Sequence, residues 1–192
     1  MMTPLNGIYC CGVLFMKKTV PTWQMVGVVF AGIFGTLLHF TFDWLGSNWI
    51  AALFSAVNES IWEHTKLLFY PMLIYAFIEY KVWGREAGSF WWIKLLGALL
   101  GMFLIPVIYY TYTGALGVSA DWFNITIFFI AAAAVYCTET KLFRLKWSCP
   151  VPQWVPIAIL FLIFILYSLT TFCPPRIPLF QDPVTGTYGY FE

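Results

Sequence analysis

Long apolar runs separated by short polar segments dominate the chain. A transmembrane helix needs roughly 20 predominantly apolar residues, and five stretches come close to that length or exceed it. The second is too long for one ordinary span, because a helix rises about 1.5 Å per residue and the hydrocarbon core is roughly 30 Å thick. We expect it to divide into a re-entrant or interfacial segment over residues 49–62 and a span over residues 63–80. The five stretches are residues 20–45, 49–80, 90–113, 121–139 and 153–172.

Basic residues fall in alternate loops between these stretches. Lys17 and Lys18 precede the first span, three basic residues follow the second span, and three follow the fourth. The other two loops carry none. Because cytoplasmic loops carry the excess of Lys and Arg, the pattern predicts five spans with the N-terminus inside and the C-terminus outside. The basic loop residues are Lys81, Arg85, Lys94, Lys141, Arg144 and Lys146.

The predicted fold is therefore an all-α membrane protein, a bundle of five transmembrane helices plus one re-entrant or interfacial helix. Residues 1–18 would form a cytoplasmic N-terminal extension, residues 19–173 a single transmembrane helical domain, and residues 174–192 an extracytoplasmic Pro-rich tail. Within that tail, aromatic and aliphatic residues suggest a lid over the outer end of the bundle. The alternative is an interfacial tail anchored in lipid headgroups by Tyr188 and Tyr190.

Composition agrees with this picture and excludes several classes of protein. The chain is 61% hydrophobic and only 10% charged, whereas an average soluble domain is about 25% charged. A soluble domain is therefore excluded, and the prediction is a multi-pass protein of a cell membrane with membrane lipids as partners. A net charge of +1 gives no sign of nucleic-acid binding. The chain shows no internal repeat, so a transporter with two related halves would need a homo-oligomer.

Ionisable residues at membrane depth are the best indicators of a site in so apolar a chain. Both histidines fall in one window at the predicted outer side, where the first span ends and the second begins. His39 and Asp43 are four residues apart, which puts them on one helix face, and Glu59, Glu63 and Lys66 would form one stripe. The full set of candidates is His39, Asp43, Asn58, Glu59, Glu63, His64 and Lys66, with Asp121 and Asn124 at the outer start of the fourth span.

Three interpretations of this set remain open. In the structural one, Lys66 pairs with Glu59 or Glu63, and His39 pairs with Asp43, because unpaired charges in lipid are costly. In the catalytic one, Glu63, His39 and Asp43 move protons on a lipid-like substrate. The other candidates would then bind that ligand: Asn58, Glu59, His64, Lys66, Asp121 and Asn124.

In the third interpretation, the same set binds a divalent metal or conducts a cation. The candidate metal ligands are His39, Asp43 and Glu59, together with Glu63 or His64, and mixed nitrogen and oxygen ligands would suit zinc, manganese or iron. The chain contains no HExxH motif, and its five cysteines form no C-x-x-C pair. The pattern marks a site without deciding whether the protein is an enzyme.

Two resemblances accompany these patterns. The segment Asn-Glu-Ser-x-Trp-Glu-His at residues 58–64 and the tail Leu-Phe-x-Asp-Pro-x-Thr-Gly at residues 179–186 resemble uncharacterised small bacterial multi-pass membrane proteins, a resemblance that implies no activity. His39, Asp43 and Glu63, with the run Phe-Tyr-Pro-Met-Leu-Ile-Tyr-Ala-Phe at residues 69–77, resemble the EXPERA group of sterol isomerases and the sigma-2 receptor. That resemblance implies a pocket for sterols or amphiphilic amines in which Glu63 is the proton-transfer or amine-binding carboxylate.

The expected function is binding or conversion of a lipid-like or amphiphilic molecule in a pocket that faces outward. The alternatives are a transporter for a cation or small solute, with a divalent metal as the candidate cofactor, and an accessory membrane subunit without chemistry of its own.

Overall fold

The computed structural model describes the backbone of residues 5–191 and the side chains of residues 19–191, and this part of the chain is all-α. Residues 1–4 of the predicted extension lie outside the described residues, and the backbone of residues 5–18 continues into the first helix. The described chain contains no β-strand. Its helices are α1 (Leu5–Trp44), α2 (Trp49–Phe54), α3 (Ile61–Val82), α4 (Phe90–Leu116), α5 (Asp121–Arg144) and α6 (Trp154–Phe172), with short 3-10 helices at Gly84–Glu86 and Pro178–Phe180.

Four helices are long and apolar enough to cross a membrane: the Thr19–Trp44 part of α1, and α4, α5 and α6. Each exposes large apolar side chains on its outer face, for example Met25, Phe103, Trp122 and Phe161. Apolar surface on this scale is unusual in a soluble monomer and marks a surface that contacts something other than water. The helices therefore indicate a membrane protein.

The long second stretch is divided, as its length predicts, but at different residues from those expected. Asn48 caps α2 by accepting hydrogen bonds from the N–H groups of Ile50 and Ala51, and Ser60 caps α3 by accepting one from Glu63 N. Polar residues of this kind favour helix N-termini because their oxygens satisfy free N–H groups. Residues 55–60 are non-helical, and the Ser60 cap starts the long helix at Ile61.

Helix α3 lies between α1 and α4, and α5 packs against α1 and α4. Helix α6 packs against α4 and α2. On the face of α3 that packs against its neighbours, four polar side chains are buried inside the bundle, three of which are ionisable. They are Glu63, Thr65, Lys66 and Glu79.

The prediction that Lys94 is a loop residue is wrong. Lys94 lies in the second turn of α4 and is 4% exposed. Lys94 was counted among the basic loop residues because it lies close to the start of the third apolar stretch. In the structure it is inside the bundle, where two buried glutamates neutralise it.

The tail after α6 folds back over the end of the bundle where α2 and α3 meet. The ring of Phe180 packs against Trp62, with ring centroids 5.0 Å apart. Tyr190 N donates to Thr171 O at 2.9 Å, and the Tyr190 hydroxyl donates to Ser47 O at 3.1 Å. The tail thus has a defined position against the helices, which the lid interpretation requires.

Candidate functional site

Three candidate ligands from three chain segments meet at one end of the bundle. His39 lies near the end of α1, Glu59 in the non-helical segment 55–60, and His64 in the first turn of α3. His64 Nε2 is 3.4 Å from Glu59 Oε2, and His39 Nε2 is 3.9 Å from Glu59 Oε1. The three ligand atoms all lie within 4.8 Å of one another. This arrangement is close to what one metal ion would need.

The tautomer of His64 also favours metal binding. Its Nδ1 lies 2.9 Å from the Ser60 carbonyl oxygen, and because a carbonyl oxygen only accepts, this contact places a proton on Nδ1. In the neutral ring, the lone pair is then on Nε2, which faces Glu59. A histidine that binds a metal through one nitrogen usually donates its other N–H to a carbonyl or carboxylate, which fixes the ring orientation.

The side chains of His39, Glu59 and His64 are also accessible to solvent. The side chains of His64, His39 and Glu59 are 26%, 32% and 48% exposed, so a metal held by them would keep positions open to water or to a substrate. When both ring nitrogens of His64 are protonated, its hydrogen bond to Glu59 lowers the pKa of that carboxyl, and the positive charges of both histidines add to this against the effect of burial. The carboxylate form, which is the form that binds metals, is therefore favoured.

Asp43, Asp121 and Asn124 do not join this group in the structure. Asp43 is exposed and makes no ion pair or side-chain hydrogen bond with another described residue, although it lies one turn beyond His39. Asp121 is exposed at the start of α5. Asn124 instead bonds to the hydroxyls of Tyr112 and Ser119.

Glu63 and Lys66 form a separate, fully buried ion pair. Lys66 Nζ is 2.6 Å from Glu63 Oε2 and also donates to Ala52 O at 3.0 Å and Thr171 Oγ1 at 2.8 Å. Glu63 accepts hydrogen bonds from Val57 N at 3.1 Å and from Thr171 Oγ1 at 3.0 Å. All three ammonium protons have partners, so this pair ties α2, α3 and α6 together, as the structural interpretation requires of Lys66.

The stripe of Glu59, Glu63 and Lys66 expected from helical spacing does not form. The helix begins at Ile61, so Glu59 precedes it and points away from the buried pair toward the two histidines. The spacing rule failed here because a capped helix start falls between Glu59 and Glu63.

The tail holds the segment that carries Glu59. Asp182 Oδ2 accepts a hydrogen bond from Glu59 N at 3.2 Å, and Asp182 Oδ1 accepts from Val184 N at 2.7 Å and Thr185 N at 3.1 Å. Burial alone would raise the pKa of Asp182, but these backbone donors outweigh burial and lower the pKa. Asn58 adds to the contact, because its side chain accepts from Ser60 N at 3.0 Å and donates to Gly189 O at 3.5 Å.

A second polar cluster, which the sequence patterns missed, lies near the other end of α3. Lys94 Nζ is 2.5 Å from Glu139 Oε2 and forms a second ion pair with Glu79 Oε2. Gln24 Nε2 donates to Glu79 Oε1 at 2.8 Å. Each of the four residues lies inside an apolar stretch, which is the signal that could have found them. Their sequence spacing could not, because they come from four different helices, α1, α3, α4 and α5.

The comparisons with known proteins assign a family but no activity. Residues 15–190 match a family of unknown function (DUF6512), and the chain belongs to that family, which confirms the resemblance to an uncharacterised family. No curated protein and no solved structure gives a significant match. The resemblance to the EXPERA group is not shown by any of these comparisons.

Proposed function

We propose that this family member is a multi-pass membrane protein that binds a divalent transition-metal ion, zinc fitting best, at His39, Glu59 and His64. One observation carries the proposal: ligand atoms from three chain segments lie within 4.8 Å of one another, and one of the two histidines is oriented by a backbone carbonyl. Two imidazoles and one carboxylate form a set that zinc uses in catalytic sites, where a fourth position stays open. Calcium and magnesium prefer oxygen ligands alone.

An amphiphilic molecule is the ligand that we propose for the open position. Phe40 stacks on His39 with ring centroids 5.1 Å apart, and Trp44 stacks on Phe40 at 5.9 Å. Both aromatic side chains are exposed, and such rings are favoured at membrane–water interfaces, where one end of the residue is apolar and the other is wet. A molecule with a polar head and an apolar body would meet the metal and this aromatic surface together.

The topology that we propose adds α3 to the four apolar helices as a fifth span. Its 22 residues correspond to about 33 Å, close to the roughly 30 Å hydrocarbon core. The charges in α3 lie inside the bundle, where intramembrane charges are normally found. With α2 as an interfacial helix, and with the N-terminus inside and the C-terminus outside, the metal group would face the outside of a cell membrane.

Zinc titration of the full chain in detergent tests the proposal. After treatment with a chelator, calorimetry should show one zinc ion bound per chain. His64→Ala and His39→Ala should each weaken the affinity at least about tenfold, since loss even of an outer-shell partner costs roughly that much. The matched control is Asp43→Ala, which removes an exposed acid one turn from His39 and should leave zinc affinity unchanged.

Two results would contradict the metal proposal. One is the absence of zinc binding by the folded wild-type protein, which the accessory-subunit interpretation expects. The other is zinc binding that both histidine variants retain at full strength while their unfolding temperatures match that of the wild type.

A further inference from the structure

The buried cluster of Glu79, Lys94 and Glu139 is the most unusual electrostatic feature of the bundle. The side chains of the two glutamates have no exposed surface, and that of Lys94 is 5% exposed. The cluster lies about 24 Å along α3 from Glu63, so it is separate from the metal group and independent of the function proposed for it.

Its formal charge does not balance. Two carboxylates and one ammonium carry a net charge of −1 when all three are ionised, and an uncompensated charge in a medium of low dielectric is strongly disfavoured. Both contacts of Lys94 go to the Oε2 atoms of the two glutamates. Glu139 Oε1 is left buried without a hydrogen-bond partner among the described residues. One more positive charge would neutralise the cluster.

The cavity beside Lys94 is too small and too apolar to hold a metal cation. The cavity beside Lys94 measures about 10 Å³, which is about the smallest volume that holds a single water molecule. Apart from Lys94, its walls are apolar and are formed by Phe69, Met72, Leu73, Ala76, Ala98 and Leu160. A sodium or potassium ion needs several oxygen ligands, and this cavity offers none, because neither glutamate of the cluster lines it.

Two further polar side chains face the cluster, and both are almost completely buried. Gln24 is 2% exposed and has an unpartnered Oε1, and Tyr136 is 2% exposed and has an unpartnered hydroxyl, among the described residues. The Tyr136 ring centroid lies 5.5 Å from Lys94 Nζ. Unsatisfied groups of this kind are rare in native interiors, and each one calls for an explanation.

Gln24 can serve both protonation states of its neighbour. As oriented, its amide nitrogen donates to Glu79 Oε1 at 2.8 Å, which suits an ionised carboxylate. If the amide rotates by half a turn, its oxygen occupies that position and accepts a hydrogen bond from a protonated carboxyl, since an amide has a donor side and an acceptor side. The cluster therefore has a hydrogen-bond partner for either state.

We propose that Glu79, Lys94 and Glu139 form a buried proton-binding site that holds one exchangeable proton, shared between the two carboxylates. A proton from water adds to a carboxylate oxygen, and the charge of the cluster changes from −1 to zero. The other titratable groups that face the cluster are Tyr75 of α3 and Tyr136 of α5. From α1, Gln24 faces the cluster and does not titrate. From α6, apolar side chains such as Leu160 lie beside it.

Infrared spectroscopy of the full chain at neutral pH tests this proposal. A protonated carboxyl has a carbonyl stretching band that ionised carboxylates lack, and the band shifts to lower frequency in D₂O. We expect such a band from the wild type. Glu79→Gln or Glu139→Gln alone should abolish it, because Lys94 then balances the one carboxylate that remains. The matched control is Glu86→Gln, which changes an exposed glutamate and should keep the band at full intensity.

Removal of the positive charge gives a second test with the same infrared band. Lys94→Met removes the only ammonium of the cluster, so both carboxyls should be protonated and the band should become about twice as intense. Absence of the band in the wild type would overturn the proposal, and so would its persistence in folded Glu79→Gln and Glu139→Gln proteins. If the glutamine variants do not fold, the wild-type and Glu86→Gln spectra in water and D₂O still decide whether a buried carboxyl is protonated.

Discussion

At the scale of single residues, Glu59 and Glu63 have different roles because one lies before the start of a helix and the other lies inside it. The two glutamates are one turn apart in sequence, but Ser60 caps the helix between them. Glu63 is 2% exposed and each of its carboxylate oxygens has a partner, so it is a structural anion. Glu59 is about half exposed and faces two histidines, so it remains available to a ligand.

Breaking the Glu63–Lys66 pair should destabilise the fold. Lys66→Met leaves the buried Glu63 carboxylate without its cation, and the loss of one partner of a buried pair costs about 3–5 kcal/mol. We expect a decrease of that size in the free energy of unfolding, measured by denaturant titration in mild detergent. The double variant Glu63→Gln, Lys66→Met should recover a large part of it, since neither charge is then unpaired. An unchanged stability of Lys66→Met would show that the pair does not hold the helices together.

At the scale of elements, the tail, the segment 55–60 and the start of α3 form one connected unit. Asp182 binds the backbone of Glu59, and Tyr190 binds the ends of α6 and of the α1–α2 loop. Gly189 allows the tail to approach α6 closely, because its φ is +63° and a Cβ there would lie 2.6 Å from Thr171 O. Since Glu59 belongs to this unit, the position of the tail bears directly on the proposed metal group.

Loss of the Asp182 charge should release the tail. A carboxylate whose pKa is lowered by folding contributes stability that is present above its ordinary value, about 3.9, and is lost as the pH falls through the lowered value. Amide hydrogen exchange of residues 182–187, corrected for intrinsic pH dependence, should therefore accelerate in the wild type as the pH falls from about 5 to about 3.

Variants distinguish this effect from general acid unfolding. Asp182→Asn should show fast exchange in the tail at both pH values, while the control Asp121→Asn, which changes an exposed acid, should keep the wild-type pH dependence. Tail exchange in Asp182→Asn that remains as slow as in the wild type at pH about 5 would argue against an anchoring role for Asp182.

At the scale of the whole molecule, buried charges are concentrated on α3, which packs between α1 and α4. Helix α3 carries charged side chains near both ends, and its neighbours present exposed apolar faces outward. This inverts the arrangement of a soluble bundle, as expected where lipid is the solvent and polar groups must find partners inside the protein. The histidine–Glu59 group and the Glu79–Lys94–Glu139 cluster therefore lie at opposite ends of α3.

The proposed orientation can be measured with fusions. Alkaline phosphatase needs disulfides that form only outside the cytoplasm, so a fusion after Glu192 should be active and a fusion in the α3–α4 loop after Arg85 should be inactive. Green fluorescent protein fused at the same two positions serves as the control and should give the reverse pattern. Phosphatase activity only at the Arg85 fusion would mean that the metal group faces the cytoplasm.

The sequence by itself determined the helical membrane architecture, the division of the second stretch and the window that contains His39, Glu59 and His64. These features follow from hydrophobic length and local charge, which neighbouring residues in the chain carry. Only the tertiary structure excluded Asp43 from the histidine group and brought Gln24, Glu79, Lys94 and Glu139 together. Such contacts join residues on different helices, and their partners depend on helix rotation and packing, which an apolar sequence with little periodicity does not specify.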